Sequence, residues 1–274
     1  IILGLFAIKL LTRAVAWRLT VYKPYSLTVK DTYAAVIIGE ALTSIVPLGI
    51  LVSGTAKAVA VRKKVPLVVG LSSVATENLF YSFITGLFIS VGAFAFIRQF
   101  ALPSPFDVLI DVVIGVILVA IVIGVLMVIR QWHWASWICN KVIEKGYFVR
   151  FLRNGRLYVR LFENLIYGFY RAHPKRFFPL CGLQILFHSL GVFVVWFILT
   201  KISGTVPALV GAFYLETMSR LVTVVFKLVP FLVGIDEASA EFVVKALGIG
   251  LGIGVTLAIV RKGRVIVWAL IGFA

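Results

Sequence analysis

Acidic side chains are scarce in this chain: 11 Asp and Glu stand against 27 Lys and Arg in 274 residues. In a soluble protein that imbalance would suggest nucleic acid. Here the basic residues lie between long apolar runs, where they read as orientation signals and contacts to anionic lipid phosphates, and no nucleic-acid partner is expected. Cysteine is scarcer still. Cys139 and Cys181 are isolated, with no C-x-x-C and no metal-type spacing, which argues against a disulfide scaffold. His133, His173 and His188 lie far apart without neighbouring acids or cysteines, so no metal site and no other cofactor is expected. The chain has no G-x-S-x-G elbow, no defensible Ser/His/Asp arrangement and no nucleotide-binding loop. No motif supports an enzyme, and no residue is assigned a catalytic role.

What the chain has in abundance is apolar length. It is 61% hydrophobic with a mean hydropathy of +1.07, well above a soluble domain. A hydrocarbon layer of about 30 Å needs roughly 20 apolar residues per helix. Residues 65–97 contain one charge, Glu77, while 112–129, 177–200 and 246–260 contain none. These runs are continuous rather than alternating, so they read as membrane helices and exclude a barrel. Gly248, Gly250, Gly252 and Gly254 in the last run form overlapping G-x-x-x-G spacings, expected to mark close helix packing. The sequence opens on Ile1 and closes on Ala274 inside an apolar run, so both natural ends are expected to be truncated and no signal peptide can be judged.

The distribution of lysine and arginine suggests a topology. Arg13, Arg18, Lys23 and Lys30 precede the stretch "GEALTSIVPLGILVSGTAKAVAVRKK" at 39–64, and Lys57, Arg62, Lys63 and Lys64 close it. Both flanks read as cytoplasmic. Residues 33–56 are then expected to enter and leave by one face, as a re-entrant hairpin breaking at Pro47, because proline removes a backbone donor and clashes with the preceding turn. A full crossing is the alternative, at the cost of placing Lys57 to Lys64 outside. "RQFALPSPFD" and "KISGTVP", each with one basic residue, read as external, whereas 130–176, with ten basic residues against two acids, and "RKGR" at 261–264 read as cytoplasmic. If 242–260 runs inward to "RKGR", residues 206–234 form a second hairpin, breaking at Pro230. The expected fold is therefore an all-α polytopic membrane protein, inverted-topology repeats with two re-entrant broken helical hairpins. It is a single integral membrane domain over 1–274, with repeat 1 at about 1–130, an amphipathic cytoplasmic connector at 131–176 and repeat 2 at about 177–274.

In the connector, "RNGRLYVRLFENLIYGFYRA" places Leu157, Leu161, Phe162, Leu165, Ile166 and Phe169 on one helical face. Arg156, Arg160, Glu163, Asn164 and Arg171 occupy the other, which suits a headgroup layer. "WHWASW" at 132–137 reads as an interfacial aromatic anchor. Ionisable groups inside the membrane are costly and are default site candidates. Glu40, Lys57, Glu77, Glu216, Arg220, Lys227, Asp236 and Glu237 are the candidates for a polar cavity, with Pro47 and Pro230 at the two breaks. Glu216 and Arg220, four apart, are expected to pair, as are Glu241 and Lys245.

Three stretches carry a family resemblance: "RAVAWRLTVY" with Trp17 and Arg18, the segment from Pro47 through Lys57, and "VPFLVGIDEASAEFVVKALGIG" with Pro230, Glu237 and Ala238. Over most of its length the chain resembles the flippase-like family related to the transmembrane domain of lysylphosphatidylglycerol synthases. It departs from that family where "PLGILVSGTAK" lacks the arginine and glutamate that often follow the first break. The resemblance implies translocation of a membrane phospholipid or glycolipid across a bacterial inner membrane. A homodimer or a cytosolic transferase are the further partners considered. Two rival readings are an intramembrane lipid-modifying enzyme, for which Asp236 with Glu237 is the only nearby acid pair, and a membrane partner of an aminoacyl- or glycosyltransferase docking through 130–176.

Overall fold

A computed structural model of the chain describes residues 1–45, 49–100, 106–144, 149–204, 206–226 and 234–273, and the expected breaks at Pro47 and Pro230, like Lys227, lie outside them. The described residues are 87% helical, with no strand among them. That follows from the solvent: where lipid offers no hydrogen-bonding partner, each backbone donor must be satisfied inside its own segment.

The helices are α1 (Ile2–Thr20), α2 (Val29–Ile45), α3 (Gly49–Ala60), α4 (Leu67–Gln99), α5 (Phe106–Arg130), α6 (Trp134–Glu144), α7 (Val149–Ala172), α8 (Phe177–Ser203), α9 (Leu209–Val225), α10 (Ile235–Ala246) and α11 (Ile253–Phe273). A 3₁₀ turn, Pro174–Arg176, leads into α8. Among the described residues, three helices are long and apolar enough to cross a membrane by length and composition: Leu67–Gln99, Asp107–Arg130 and, counted with its 3₁₀ turn, Pro174–Ser203. In the most apolar stretch of α5 only 6% of residues are buried, against 56% in α4. Helix α5 therefore turns nearly its whole surface outward, and in a bilayer that surface meets acyl chains rather than water.

Packing pairs the elements in a regular way. Helix α2 lies on α3 and α9 on α10; α1 lies on α2 and α8 on α9; α3 lies on α4 and α10 on α11. Crosswise, α2 packs on α11 and α9 on α4, while α1 meets α8 directly. The two short-helix pairs close on themselves. Lys64, just past α3, reaches Asp31 in the first turn of α2, with Nζ 2.8 Å from the carboxylate. Correspondingly, a Cβ on Gly211, in the first turn of α9, would stand 3.4 Å from Leu247, just past α10. Each pair thus begins and ends in one place.

Two expectations are corrected in the second half. Residues 246–260 do not form one helix. Gly248, Gly250 and Gly252 have φ values of 67°, 136° and 81°, a left-handed backbone open chiefly to glycine, and they make the turn between α10 and α11. Of the four glycines, Gly254 serves packing, its Cα lying against the backbone of Ala240 and Glu241. Nor is "RKGR" a connection: residues 261–264 lie in the interior of α11, and Arg261 is buried. Helix α11 starts later than the hydropathy suggests, so its charges fall in mid-helix.

The connector follows its amphipathic pattern in part. Ile166, Tyr167 and Phe169 of α7 are buried, while Leu157 is 78% exposed and Leu161 is also exposed. Glu163, expected on the polar face, is buried. It accepts the backbone N–H of Ala135 at 2.8 Å and the hydroxyl of Ser136, satisfying orphan donors in the first turn of α6. Trp132, Trp134 and Trp137 are exposed, with the first two rings stacked.

Candidate functional site: a buried network of charges

Helix α1 is too charged to be a simple span, and two of its three charges, Lys9 and Arg13, face inward while Arg18 is exposed. Lys9 is 1% exposed, and Arg13, one turn on, is largely buried. Arg13 reaches Glu77 of α4 with both arms of its guanidinium, Nε to Oε1 at 3.2 Å and Nη2 to Oε2 at 3.0 Å, and also touches Asn78. The amide of Gln184, on α8, donates to the same carboxylate at 3.0 Å. A bidentate geometry of this kind is what guanidinium offers and ammonium does not.

A second knot forms on Glu216 of α9. Arg220, one turn along, donates to Oε1 at 2.9 Å, as the i,i+4 spacing predicts. Arg261 of α11 donates to Oε2 at 2.8 Å, and Lys9 Nζ lies 3.5 Å from Oε1. One buried carboxylate therefore gathers three cations from three helices. Close approach depends on Gly191 of α8, where a Cβ would lie 2.5 Å from Glu216 Oε1 and 2.9 Å from Lys9 Nζ.

Aromatic rings join the two knots. The cations of Lys9, Arg13 and Arg220 all lie within 6 Å of the Phe187 ring, at 4.4, 5.9 and 5.7 Å. The Arg13 guanidinium also sits over Tyr81 at 4.5 Å, and the hydroxyl of Tyr81 contacts Arg220 at 3.4 Å. Cation–ring contacts gain strength when desolvated, so these faces offset part of the cost of burying positive charge. His188, stacked between Tyr81 and Phe88, touches Thr85 at 3.0 Å.

The remaining charges of the network are less well matched. Lys57 of α3 is 4% exposed and lies flat against α2, where a Cβ on Gly39 would come within 2.7 Å of its Cε. It makes no ion pair among the described residues. Arg264 of α11 rests on the Phe6 ring at 4.2 Å, and its Nε is buried with no hydrogen-bond partner. Glu40 of α2 is half-buried and within electrostatic reach of Arg13, Lys57, Arg220 and Arg264. Lys9, Arg13, Lys57, Arg220, Arg261 and Arg264 thus stand against Glu40, Glu77, Glu216 and, through Ser219, Asp236, a formal excess of two positive charges among the described residues.

Of the residues the sequence singles out, Glu40, Lys57, Glu77, Glu216 and Arg220 come together here. Asp236 joins the second knot at one remove, through Ser219, whose hydroxyl accepts from Arg261 and lies 3.5 Å from Asp236 Oδ1; Glu237 lies apart, capping α10 through the N–H of Gly234 at 2.8 Å and pairing with Lys262. Glu241, expected to pair with Lys245, instead accepts the N–H groups of Gly252 and Gly254 at 2.7 and 3.0 Å, capping α11. Free donors at a helix N-terminus draw a carboxylate more reliably than a lysine one turn away. The sequence reading missed Lys9, Arg13, Gln184, Arg261 and Arg264. A signal was present for the first two: they are spaced i,i+4 in an otherwise apolar helix.

Two pockets lie near the connector. The larger, of about 220 Å³, is lined by aromatic side chains including Phe80, Tyr170 and Phe177.

The family model described as the lysylphosphatidylglycerol synthase TM region matches residues 1–272. No curated protein and no solved structure gave a significant match to the chain.

Proposed function

Because the chain belongs to the lysylphosphatidylglycerol synthase transmembrane-region family, we propose that it translocates a polar-headgroup lipid through a polar path between two inverted repeats, in a bacterial cytoplasmic membrane. The observation that carries this reading is the buried charge network itself, to which α1 to α4 and α8 to α11 both contribute. Charges at this depth are expensive to maintain and are retained where something charged must pass or be held.

The packing scheme supports the repeats. Under an exchange of α1 with α8, α2 with α9, α3 with α10 and α4 with α11, most of the principal contacts map onto one another and the α1–α8 contact maps onto itself, while the α4–α8 contact has no comparable counterpart between α11 and α1. Gly70 packs on Ala58 as Gly254 packs on Ala240, which fits the same exchange. At about 1.5 Å per residue, α3 and α10 are each about 18 Å long, short of a hydrocarbon layer. Together with the closed ends at Asp31–Lys64 and Gly211–Leu247, this fits two hairpins that enter and leave by one face each. In this reading their broken ends meet a shielded polar interior, while the acyl chains remain in lipid. A cytosolic transferase or a second copy of the chain are partners compatible with this role.

Reconstitution tests it. Vesicles containing the protein should exchange fluorescent or charged lipids between leaflets faster than empty vesicles, and no acceleration with any of several headgroups removes the proposal. Deleting the gene should alter the leaflet distribution of a lipid; a missing lipid product would favour an enzyme instead.

A further inference from the structure

The larger pocket beside the connector is a site the charge network does not use. Four elements build it: Phe80 comes from α4, Phe169 and Tyr170 from α7, His173 from the entry to the 3₁₀ turn, and Phe177 with Phe178 from the start of α8. The rings are ordered against one another. Phe80 stacks on Tyr170 with centroids 5.5 Å apart, Phe177 meets Phe80 edge-on at 5.4 Å, and His173 lies parallel to Phe169 at 5.7 Å. A lining of flat faces and edges suits a flat guest. An apolar cavity of about 150 Å³ holds benzene, so the roughly 220 Å³ here admits a fused pair of rings. Phe178 is 79% exposed at the start of a helix apolar enough to cross a membrane, so the rim is open to molecules dissolved in lipid.

One polar atom in this lining is unsatisfied: the Nδ1 of His173 is buried and has no hydrogen-bond partner. Buried polar groups are nearly always paired, so a stranded one points to a missing partner. Burial and the nearby Arg176 hold the imidazole below its ordinary value, which leaves it uncharged at neutral pH. Its Nδ1 is then a donor in one tautomer and an acceptor in the other. Aromatic faces also attract cations, but no acid lines the pocket and Arg176 is close by. An acyl chain would fill the space and leave Nδ1 stranded.

We propose that this pocket binds the ring of a membrane-soluble quinone or quinol, with His173 as its hydrogen-bonding partner. A quinone carbonyl accepts from Nδ1–H, and a quinol hydroxyl donates to bare Nδ1, so both forms of the ring fit. The ring sits among the aromatic side chains of α4, α7 and α8, where it joins the connector to the bundle. This site stands independently of lipid translocation.

The purified chain in detergent is incubated with naphthoquinone, naphthalene or decane, and the ligand retained over protein-free micelles is measured. Naphthoquinone should bind saturably and about tenfold tighter than naphthalene, the difference one hydrogen bond makes, with decane weaker than either. His173→Phe keeps a stacked ring and removes the nitrogen. It should weaken naphthoquinone about tenfold and leave naphthalene unchanged, a split that misfolding cannot produce. Phe80→Ala should weaken both. The proposal is overturned by no saturable retention of naphthoquinone, by naphthoquinone binding that His173→Phe leaves intact, or by decane binding as tightly, which would mark an acyl-chain pocket. If His173→Phe loses both aromatic ligands alike, the unaltered chain decides: equal affinity for naphthoquinone and naphthalene overturns the proposal, and the tenfold preference sustains it.

Discussion

Arg13 and Glu77, 64 residues apart in sequence, form a two-armed ion pair between α1 and α4 that is almost closed to solvent. Pairs of this kind contribute little net stability compared with an apolar match, yet breaking one partner leaves a charge stranded. Arg13→Gln or Glu77→Gln alone should cost about 3–5 kcal/mol, and Arg13→Met/Glu77→Leu should be clearly more stable than either single variant. Thermal denaturation in detergent, run as a double-mutant cycle, measures this. Additive losses would show that the two side chains act separately.

Glu216 is the shared anion for Lys9, Arg220 and Arg261. Its replacement by Gln leaves three cations without their shared partner, whereas Asp236 reaches the knot only at one remove, through the Ser219 hydroxyl that also accepts from Arg261. Glu216→Gln should therefore lower both stability and lipid exchange far more than Asp236→Asn. Comparable losses in the two variants would show that the knot around Glu216 is not the organising centre.

Gly191 and Gly39 give the network its room. A methyl at either position would press on a charged side chain, on Glu216 and Lys9 in one case and on Lys57 in the other. Gly191→Ala should destabilise by about 1–3 kcal/mol, the usual range for overpacking. Gly39→Ala should press on the flexible ends of Lys57 and Ser53 and destabilise less than Gly191→Ala. Melting curves in detergent compare the two, and an equal or larger loss at Gly39 would contradict the expectation.

At the surface, Lys64 and two hydrogen bonds from Thr28 hold the Asp31 carboxyl well below the usual carboxylate range, at about 2. A carboxyl whose folded-state pKa lies below its unfolded value stabilises above the unfolded value, near 4, and loses that contribution as pH falls toward 2. Because the pair is exposed, the effect is small. In Lys64→Gln the loss of melting temperature between pH 4 and pH 2 should shrink, which a pH series of melting curves detects.

The pair Asp31–Lys64 also permits a topological test. Lys30→Cys and Lys63→Cys should react with a membrane-impermeant thiol reagent from the same side of oriented vesicles. Labelling from opposite sides would mean that α2 and α3 together cross the bilayer.

Much of this was legible in the sequence, and the parts that were not share a cause. Long apolar runs determine α4, α5 and α8, because in lipid an apolar stretch of that length has few alternatives to a helix. The i,i+4 spacing determines the Glu216–Arg220 contact, since helical periodicity is local information. Arg13 and Arg261 were misread as loop charges because a buried cation and an interfacial one look alike until a partner from another helix is in place. The glycines at 248–252 likewise satisfy a packing spacing on paper, and only the φ angles assign them to a turn. Composition and periodicity thus determined that this chain is a bundle of helices suited to lipid. Tertiary structure decided which charges are matched and which are left over, because that balance is set by distances across helices that no run of sequence contains.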